Sequence, residues 1–160
     1  MKYIKAKELA KGLYKVVAND VKYNQEKNYL SVTFKLNQDT GITKYFSCVP
    51  DQYSTEEKIK KNMEALYRAL GFTWNAAVTN MGDAAITLEA LSSKAGDVAC
   101  LLSCDEFSGN AYVKPYSLKS EGWFLEKFQK TVSEFALKAP DEVSVAKSEF
   151  AFDSKEELPF

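Results

Sequence analysis

Strict alternation of apolar and polar residues constrains the fold of this chain most strongly at residues 28–36. In the sequence NYLSVTFKL the even-numbered positions from 30 onward are Leu, Val, Phe and Leu, whereas the odd-numbered positions are Tyr, Ser, Thr and Lys. A period of two places successive side chains on opposite sides of a β-strand. We therefore predict a strand with one face in the core and the other face forming a surface.

Two more strands are predicted beside this one. Residues 12–24, GLYKVVANDVKYN, are rich in Val and Tyr, and their apolar positions fall on both parities, which indicates a bent or bulged strand. Residues 42–49, ITKYFSCV, follow the turn sequence NQDTG and are expected to pair with residues 28–36. The three strands would form a meander.

The period then changes to that of a helix. Ser54 and Glu57 have the spacing of a capping box and precede apolar residues at helical spacing, and Gly71 is predicted to end this helix. A second, weaker helix is predicted from Asp83, as its N-cap, to Gly96. Both helices would form an insertion after the third strand.

A hairpin is predicted after the helices. Residues 98–104 and 111–118 are predicted strands around the loop sequence DEFSGN, and Pro115, which has no amide to donate, places the second of them at a sheet edge. Three strands, a helical insertion and two strands is the order of a five-stranded OB-fold barrel. An α+β sheet is the alternative that this pattern leaves open.

The C-terminal part of the chain divides at Pro140. Residues 121–139 place Phe124, Phe128, Val132 and Phe135 on one helical stripe, which predicts a C-terminal helix packed either on the barrel or on a second copy in a homodimer. Residues 140–160 have no sustained period and are predicted to be a flexible acidic tail. The predicted units are a barrel domain at 1–120, a helix at 121–139 and a tail at 140–160.

The composition argues against catalysis, because the chain has no histidine and only three cysteines. Histidine is the usual general base and the commonest metal ligand, and these cysteines lack the CxxC spacing of zinc sites. The sequence contains no glycine-rich phosphate loop and no clustered carboxylates, so we predict neither an enzyme nor a cofactor or metal site. A Mg²⁺-dependent nuclease would need acids such as Asp20, Asp39 and Asp51, whose spacing does not bring them together.

Hydropathy and charge indicate the location and the class of partner. No stretch is apolar enough for a membrane span or a signal peptide, so a cytoplasmic protein is expected. Residues 1–50 contain 9 lysines against 4 acids, whereas residues 139–160 contain 2 lysines against 6 acids. A basic first half joined to an acidic end is typical of proteins with a polyanionic partner.

The sequence DSKEELPF at residues 153–160 carries the most specific resemblance. It resembles the acidic tip of bacterial single-stranded DNA-binding proteins, which close with acids, an aliphatic residue, Pro and Phe. Lys155 interrupts the acids, and Leu stands where Ile is usual. The residues that match this pattern are Asp153, Glu156, Glu157, Leu158, Pro159 and Phe160.

The body of the chain resembles phage-encoded single-stranded DNA-binding proteins. The resemblance is carried by GLYKV at 12–16, the paired strands at 28–49, ALGF at 69–72 and the late hairpin at 98–118. It implies an OB-fold whose groove holds single-stranded DNA during replication, recombination or repair in a bacterial host. It also implies that the C-terminal tip recruits partner proteins of these processes.

Candidate DNA contacts follow from the chemistry of a strand that is bound without regard to sequence. Lysines follow the phosphates, and aromatic rings stack on the bases. The predicted contacts are Lys15, Lys22, Tyr29, Lys35, Lys44, Tyr45, Tyr112, Lys114 and Tyr116. We assign Trp74 and Trp123 to the core or to an interface.

Two further hypotheses concern the tail and the choice of partner. The acidic tail is expected to occupy or screen the basic groove when DNA is absent, since a tethered segment acts at high local concentration. The alternative function is an OB-like adaptor or inhibitor that binds proteins and no nucleic acid. A steep loss of affinity with salt would favour DNA.

Overall fold

The computed structural model describes residues 2–128 and 132–133, which are mainly β structure with three α-helices. The strands are β1 (Lys2–Tyr3), β2 (Gly12–Asn24), β3 (Tyr29–Lys35), β4 (Thr40–Ser47), β5 (Val98–Phe107), β6 (Asn110–Tyr116) and β7 (Val132–Ser133). The α-helices are α1 (Glu56–Ala69), α2 (Met81–Ala95) and α3 (Glu121–Phe128), and 3₁₀ turns cover Ala6–Glu8 and Leu118–Ser120.

Six strands form one curled, open half-barrel sheet in the order β1-β4-β3-β2-β5-β6. The long strands pair antiparallel, β1 pairs parallel with β4, and β7 pairs parallel with β2. All five predicted strands are confirmed, the strand at 12–24 with its predicted bounds and the other four with shifted ends, and β6 is the edge strand that Pro115 predicted. The predicted count of five is wrong, because the two-residue strands β1 and β7 add to it.

Strand β2 bridges the two halves of the sheet. Its first part pairs with β5 from Gly12↔Cys104 to Ala18↔Val98, and its second part pairs with β3. The register shifts between Asn19 and Lys22, where Asp20 has a φ of 53°. This β-bulge is the irregularity predicted from the mixed parity of residues 12–24, because one extra residue moves the following side chains to the other parity.

The turn between β5 and β6 is tighter than predicted. Ser108 and Gly109 both have positive φ, at 54° and 82°, between the paired residues Phe107 and Asn110. A two-residue turn with both φ angles positive is the type I′ hairpin. The sequence DEFSGN is therefore wrongly predicted as a loop, and Asp105 and Glu106 belong to β5.

The core lies between the sheet and the helices α1 and α2. Leu30, Val32 and Phe34 of β3 have no exposed surface, and Met63 and Leu66 of α1 belong to the same buried cluster. The alternation in residues 28–36 thus predicted the inner face correctly. Burying side chains of this size contributes about 1.5–3 kcal/mol each, which fixes the helices to this face.

Two predicted helix starts require correction. The side chain of Thr55, not Ser54, accepts the hydrogen bond from the Lys58 amide, and Asn80, not Asp83, caps α2. Ser54 is buried instead. Gly71, with a φ of 81°, follows the end of α1 as predicted, since glycine tolerates this conformation.

The N-terminal segment reaches both sides of the half-barrel. β1 lies on the free edge of β4, and the segment then crosses to β5, where the carbonyls of Ala6 and Leu9 accept weak hydrogen bonds from the Cys104 thiol at 3.9 and 3.6 Å. Ile4 and Leu9 are buried in the main core. This segment therefore covers the open side of the curled sheet.

The three cysteines are buried and free, as predicted from their number and spacing. Burial raises the pKa of Cys48 to about 11 and that of Cys100 to about 12. Both thiols are therefore protonated at neutral pH, where only a thiolate would be nucleophilic.

The predicted C-terminal helix over 121–139 is wrong in its extent. α3 covers Glu121–Phe128, and Val132–Ser133 is a strand paired with β2, so a single helical stripe does not continue to Val132. Phe135 and the predicted tail at 140–160 lie outside the described residues. Among the residues that are described, no helix is long and apolar enough to cross a membrane.

Replacing Asn80 with Ala is expected to lower the free energy of unfolding by about 1 kcal/mol, because the first turn of α2 loses its side-chain acceptor. Urea denaturation followed by circular dichroism measures this change. Asp83→Ala is the matched control and is expected to cost less, since that carboxylate is not the cap. A larger loss for Asp83→Ala would show that the cap is wrongly assigned.

Candidate nucleic-acid interface

The strand register brings most of the predicted DNA contacts onto one side of the sheet. We call the side opposite α1 and α2 the outer face. Its cross-strand neighbours include Lys22 and Ser31, Ser31 and Tyr45, and Ser103 and Lys114. Eight of the nine predicted residues lie on this face, namely Lys15, Lys22, Tyr29, Lys35, Tyr45, Tyr112, Lys114 and Tyr116.

Lys44 is the predicted contact that lies elsewhere. It pairs with Val32 and points to the inner side of β4, where only 3% of the residue is exposed. Its Nζ lies 5.5 Å from the centroid of the Phe46 ring, within the range of a cation–π contact. The neighbouring Tyr45 lies on the outer face, so the sequence identified the correct strand but the wrong parity for the cation.

Two tyrosines form an aromatic pair at one corner of the outer face. The rings of Tyr29 and Tyr45 are 5.2 Å apart between centroids and tilted by 38°. The Nδ2 of Asn24 donates to the Tyr29 hydroxyl at 3.5 Å, and Tyr45 is 36% exposed. A partly exposed pair of rings, held on the sheet by its strands, presents π-surface to solvent at little conformational cost.

Helix α3 covers the opposite corner. Phe124 is buried there with Leu13 and Leu101, and its ring meets Tyr116 edge to face at 4.8 Å. Of the two predicted alternatives, packing on the barrel or on a second copy, Phe124 follows the first, because it is buried against its own sheet. Burial raises the pKa of Tyr116 above its ordinary value, so its hydroxyl stays neutral well beyond physiological pH.

A cavity of 410 Å³ opens between α3 and the β5–β6 hairpin, and we call it the α3 cavity. Its apolar and aromatic lining residues are Leu13, Tyr112, Tyr116, Trp123 and Phe124. Trp123 is 50% exposed, so it is not a core residue, and the predicted alternative of an interface position stays a prediction. Trp74, by contrast, packs against the main core and meets the Tyr67 ring at 5.1 Å, as predicted.

The polar lining of the α3 cavity is mixed in charge. It consists of Ser103, Asp105, Glu106 and Lys114. Asp105 and Tyr112 are cross-strand partners, as are Ser103 and Lys114. The sequence prediction missed the two acids because it placed them in a loop, and the overlooked signal was Gly109, since glycine tolerates the positive φ that a two-residue hairpin turn requires.

The lysines of the outer face differ in their ion pairs. Lys15 lies 3.5 Å from Glu121, and Lys22 lies 3.4 Å from Asp20. Exposed pairs of this kind contribute about 0–1 kcal/mol, so a phosphate can replace the carboxylate. Within the described ranges, Lys35 and Lys114 have no carboxylate within 4 Å.

The two aromatic corners are separated along β2. Tyr29 is the cross-strand partner of Asn24 on β2. Tyr116 is the partner of Leu101 on β5, which is in turn the partner of Lys15 on β2. At ~3.3 Å per residue, the stretch of β2 from Lys15 to Asn24 is about 25–30 Å long. Lys22, Lys35 and Lys15 follow one another between the corners, so the outer face presents aromatic, basic and aromatic regions in sequence.

The chain matches no protein-family model, no curated protein and no solved structure. The part of the chain that the structure describes contains no group of three or more acids and cysteines positioned to hold a metal ion.

Replacing Phe124 with Ala is expected to lower the pKa of Tyr116 toward 10, because solvent then reaches the hydroxyl and stabilises the phenolate. Nuclear magnetic resonance of ¹³C-labelled tyrosine across pH 8–12 follows this titration. Trp123→Ala is the comparison, since that half-exposed ring meets Phe124 and its loss is expected to lower the Tyr116 pKa less. An unchanged Tyr116 pKa in Phe124→Ala would mean that α3 does not bury this residue.

Proposed function

We propose that this chain is a sequence-nonspecific single-stranded DNA-binding protein whose DNA site is the outer face. The observation that supports this most is the placement of eight of the nine predicted lysines and tyrosines on one side of the sheet. The helices α1 and α2 cover the other side, so the outer face is the large sheet surface left for a ligand. Replication, recombination or repair is the proposed setting.

The half-barrel is proposed to be an opened form of the OB-fold. Its five long strands have the order β4-β3-β2-β5-β6, and β4 and β6 stand at the two ends of this series. Joining these ends would close a five-stranded barrel of the partly open kind that binds oligonucleotides. The N-terminal segment, which runs from β4 to β5, takes the place of that closing contact.

Binding would combine stacking with phosphate contacts. Each base stacked on an aromatic side chain contributes about 1–3 kcal/mol, and every base has a π-face, so such binding tolerates any sequence. The Tyr29–Tyr45 pair offers one platform, and the half-exposed ring of Trp123 offers another. Lys35 and Lys114 are the cations best placed for phosphates, because neither has to leave a described carboxylate.

The acidic segment at 153–160 is proposed to have two roles. Leu158, Pro159 and Phe160 would dock on replication, repair or recombination proteins, since Pro limits the conformations that binding must freeze. Its acids would also compete weakly with DNA for the lysines of the outer face. Both roles lie outside the described residues and are inferred from the sequence.

Fluorescence anisotropy of a labelled thymine oligomer of about 30 nucleotides tests the proposed function, with titrations at several salt concentrations. The affinity is expected to fall linearly with salt on logarithmic axes, because bound lysines release counterions. Replacing Lys35 or Lys114 with Ala is expected to reduce the slope by about 0.7 each. Lys58→Ala, which removes an exposed lysine from α1, is the matched control and should leave the slope unchanged.

If the wild-type chain fails to bind the oligomer at low salt, the DNA function is wrong, and a protein-binding adaptor becomes the better hypothesis. If it binds but Lys58→Ala alters the slope as much as Lys35→Ala, DNA lies on the helical side instead.

Deleting residues 152–160 is expected to leave affinity for the same oligomer unchanged at high salt and to raise it at low salt, where the acids compete most strongly. Anisotropy titrations of both chains at the two salt concentrations measure the difference. Replacing the three acids of this segment with their amides is the control for charge alone. A deletion that leaves low-salt affinity unaltered would exclude the competing role.

A further inference from the structure

We infer that the α3 cavity is a nucleobase pocket that prefers cytosine to thymine. This inference rests on the proposed function and deepens it, because it assigns a base preference to one end of the DNA site. The volume of 410 Å³ lies within the range of about 300–1,000 Å³ that is usual for small-ligand sites. The aromatic walls, the carboxylates and the lysine of the cavity each bear on the choice of occupant.

The walls of the cavity suit a planar ring. Tyr112 on β6 and Trp123 on α3 both line it, and Tyr116 and Phe124 close its inner end through their edge-to-face contact. The Trp123 ring meets Phe124 at 4.8 Å and 83°, which supports one side of the indole while half of the residue stays exposed. A base entering from solvent can therefore stack without first displacing the core.

The polar groups of the cavity distinguish between bases. Asp105 lies opposite Tyr112 on the outer face and lines the cavity. Glu106 also lines the cavity, but it pairs with Ala111, so its side chain leaves β5 on the other side and Asp105 is the main acceptor. An ionised carboxylate only accepts hydrogen bonds. Cytosine presents its N4 amino group as a donor at the position where thymine presents the O4 acceptor, so a carboxylate at this edge attracts the first base and repels the second.

The cations around the cavity keep it compatible with a nucleic acid. Lys11 lies 3.2 Å from Asp105, and Lys114 lines the cavity floor beside Ser103. Two lysines thus offset the two acids, and the flanking phosphates meet Lys114 rather than an uncompensated negative surface. The same acids disfavour an acidic peptide as the occupant, which distinguishes a nucleobase from the chain's own segment at 153–160.

Anisotropy competition with two 15-nucleotide oligomers tests this inference. One is all thymine, and in the other the five central thymines are replaced by cytosine. We expect the cytosine oligomer to bind about five- to tenfold more tightly, because a well-placed acid pairing with cytosine N4 discriminates at this level. In the double variant Asp105→Asn with Glu106→Gln, an amide can donate to thymine O4. The two oligomers are therefore expected to bind this variant with about equal affinity.

Two control variants separate the pocket from the rest of the surface. Glu57→Gln removes an acid from an exposed ion pair on α1 and should keep the cytosine preference. It is matched to Asp105→Asn, which removes an acid from an exposed ion pair on β5. Tyr29→Ala should weaken binding of both oligomers by the same factor. A second measurement is intrinsic fluorescence, whose quenching by the cytosine oligomer should disappear in Trp123→Phe and persist in Trp74→Phe.

Equal affinity of the wild-type chain for both oligomers overturns the base pocket and leaves the DNA function standing. Quenching that persists in Trp123→Phe also overturns the pocket, because the bound base then lies elsewhere. Absence of binding to either oligomer overturns both proposals.

Discussion

The double pairing of β2 is the interaction on which the rest of the structure depends. One edge of its first half is hydrogen-bonded to β5, and its second half pairs with β3, so the meander and the late hairpin become a single sheet only through this strand. The bulge around Asp20 lies beyond the end of the β5 pairing, and it bends β2 and increases its twist where β3 continues to pair with it. β7 uses the edge of β2 that β3 leaves open.

The sheet is asymmetric, and this asymmetry creates the candidate site. α1 and α2 bury one face almost completely, whereas α3 covers only one corner of the other. Lysines and tyrosines are tolerated on the uncovered part since their long or amphipathic side chains can pack along the strands while the polar ends stay in water. The partial cover matters as much as the exposed area, because it turns a flat corner into a walled cavity.

The sequence predicted the long elements well and the short ones poorly. Alternation in residues 28–36 and the mixed parity of 12–24 each reflect a burial pattern that several residues share. β1 and β7 contain two residues each, too few for any period, and they exist because neighbouring strands offer free edges. For the site, strand membership was predictable, and so was the inward direction of Lys44, which shares its parity with the buried Ile42 and Phe46. The exposure of Trp123 depends on tertiary packing.

The pairing of Gly12 with Cys104 also has a consequence for how the chain reaches its native state. During synthesis the three-stranded meander and both core helices emerge before β5, so the first half of β2 remains an unpaired edge throughout that interval. Such edges invite pairing with other chains, and contacts between residues distant in sequence form slowly. The fold is thus most vulnerable to aggregation before its hairpin is complete, and fragments that end before β5 would keep that vulnerability permanently.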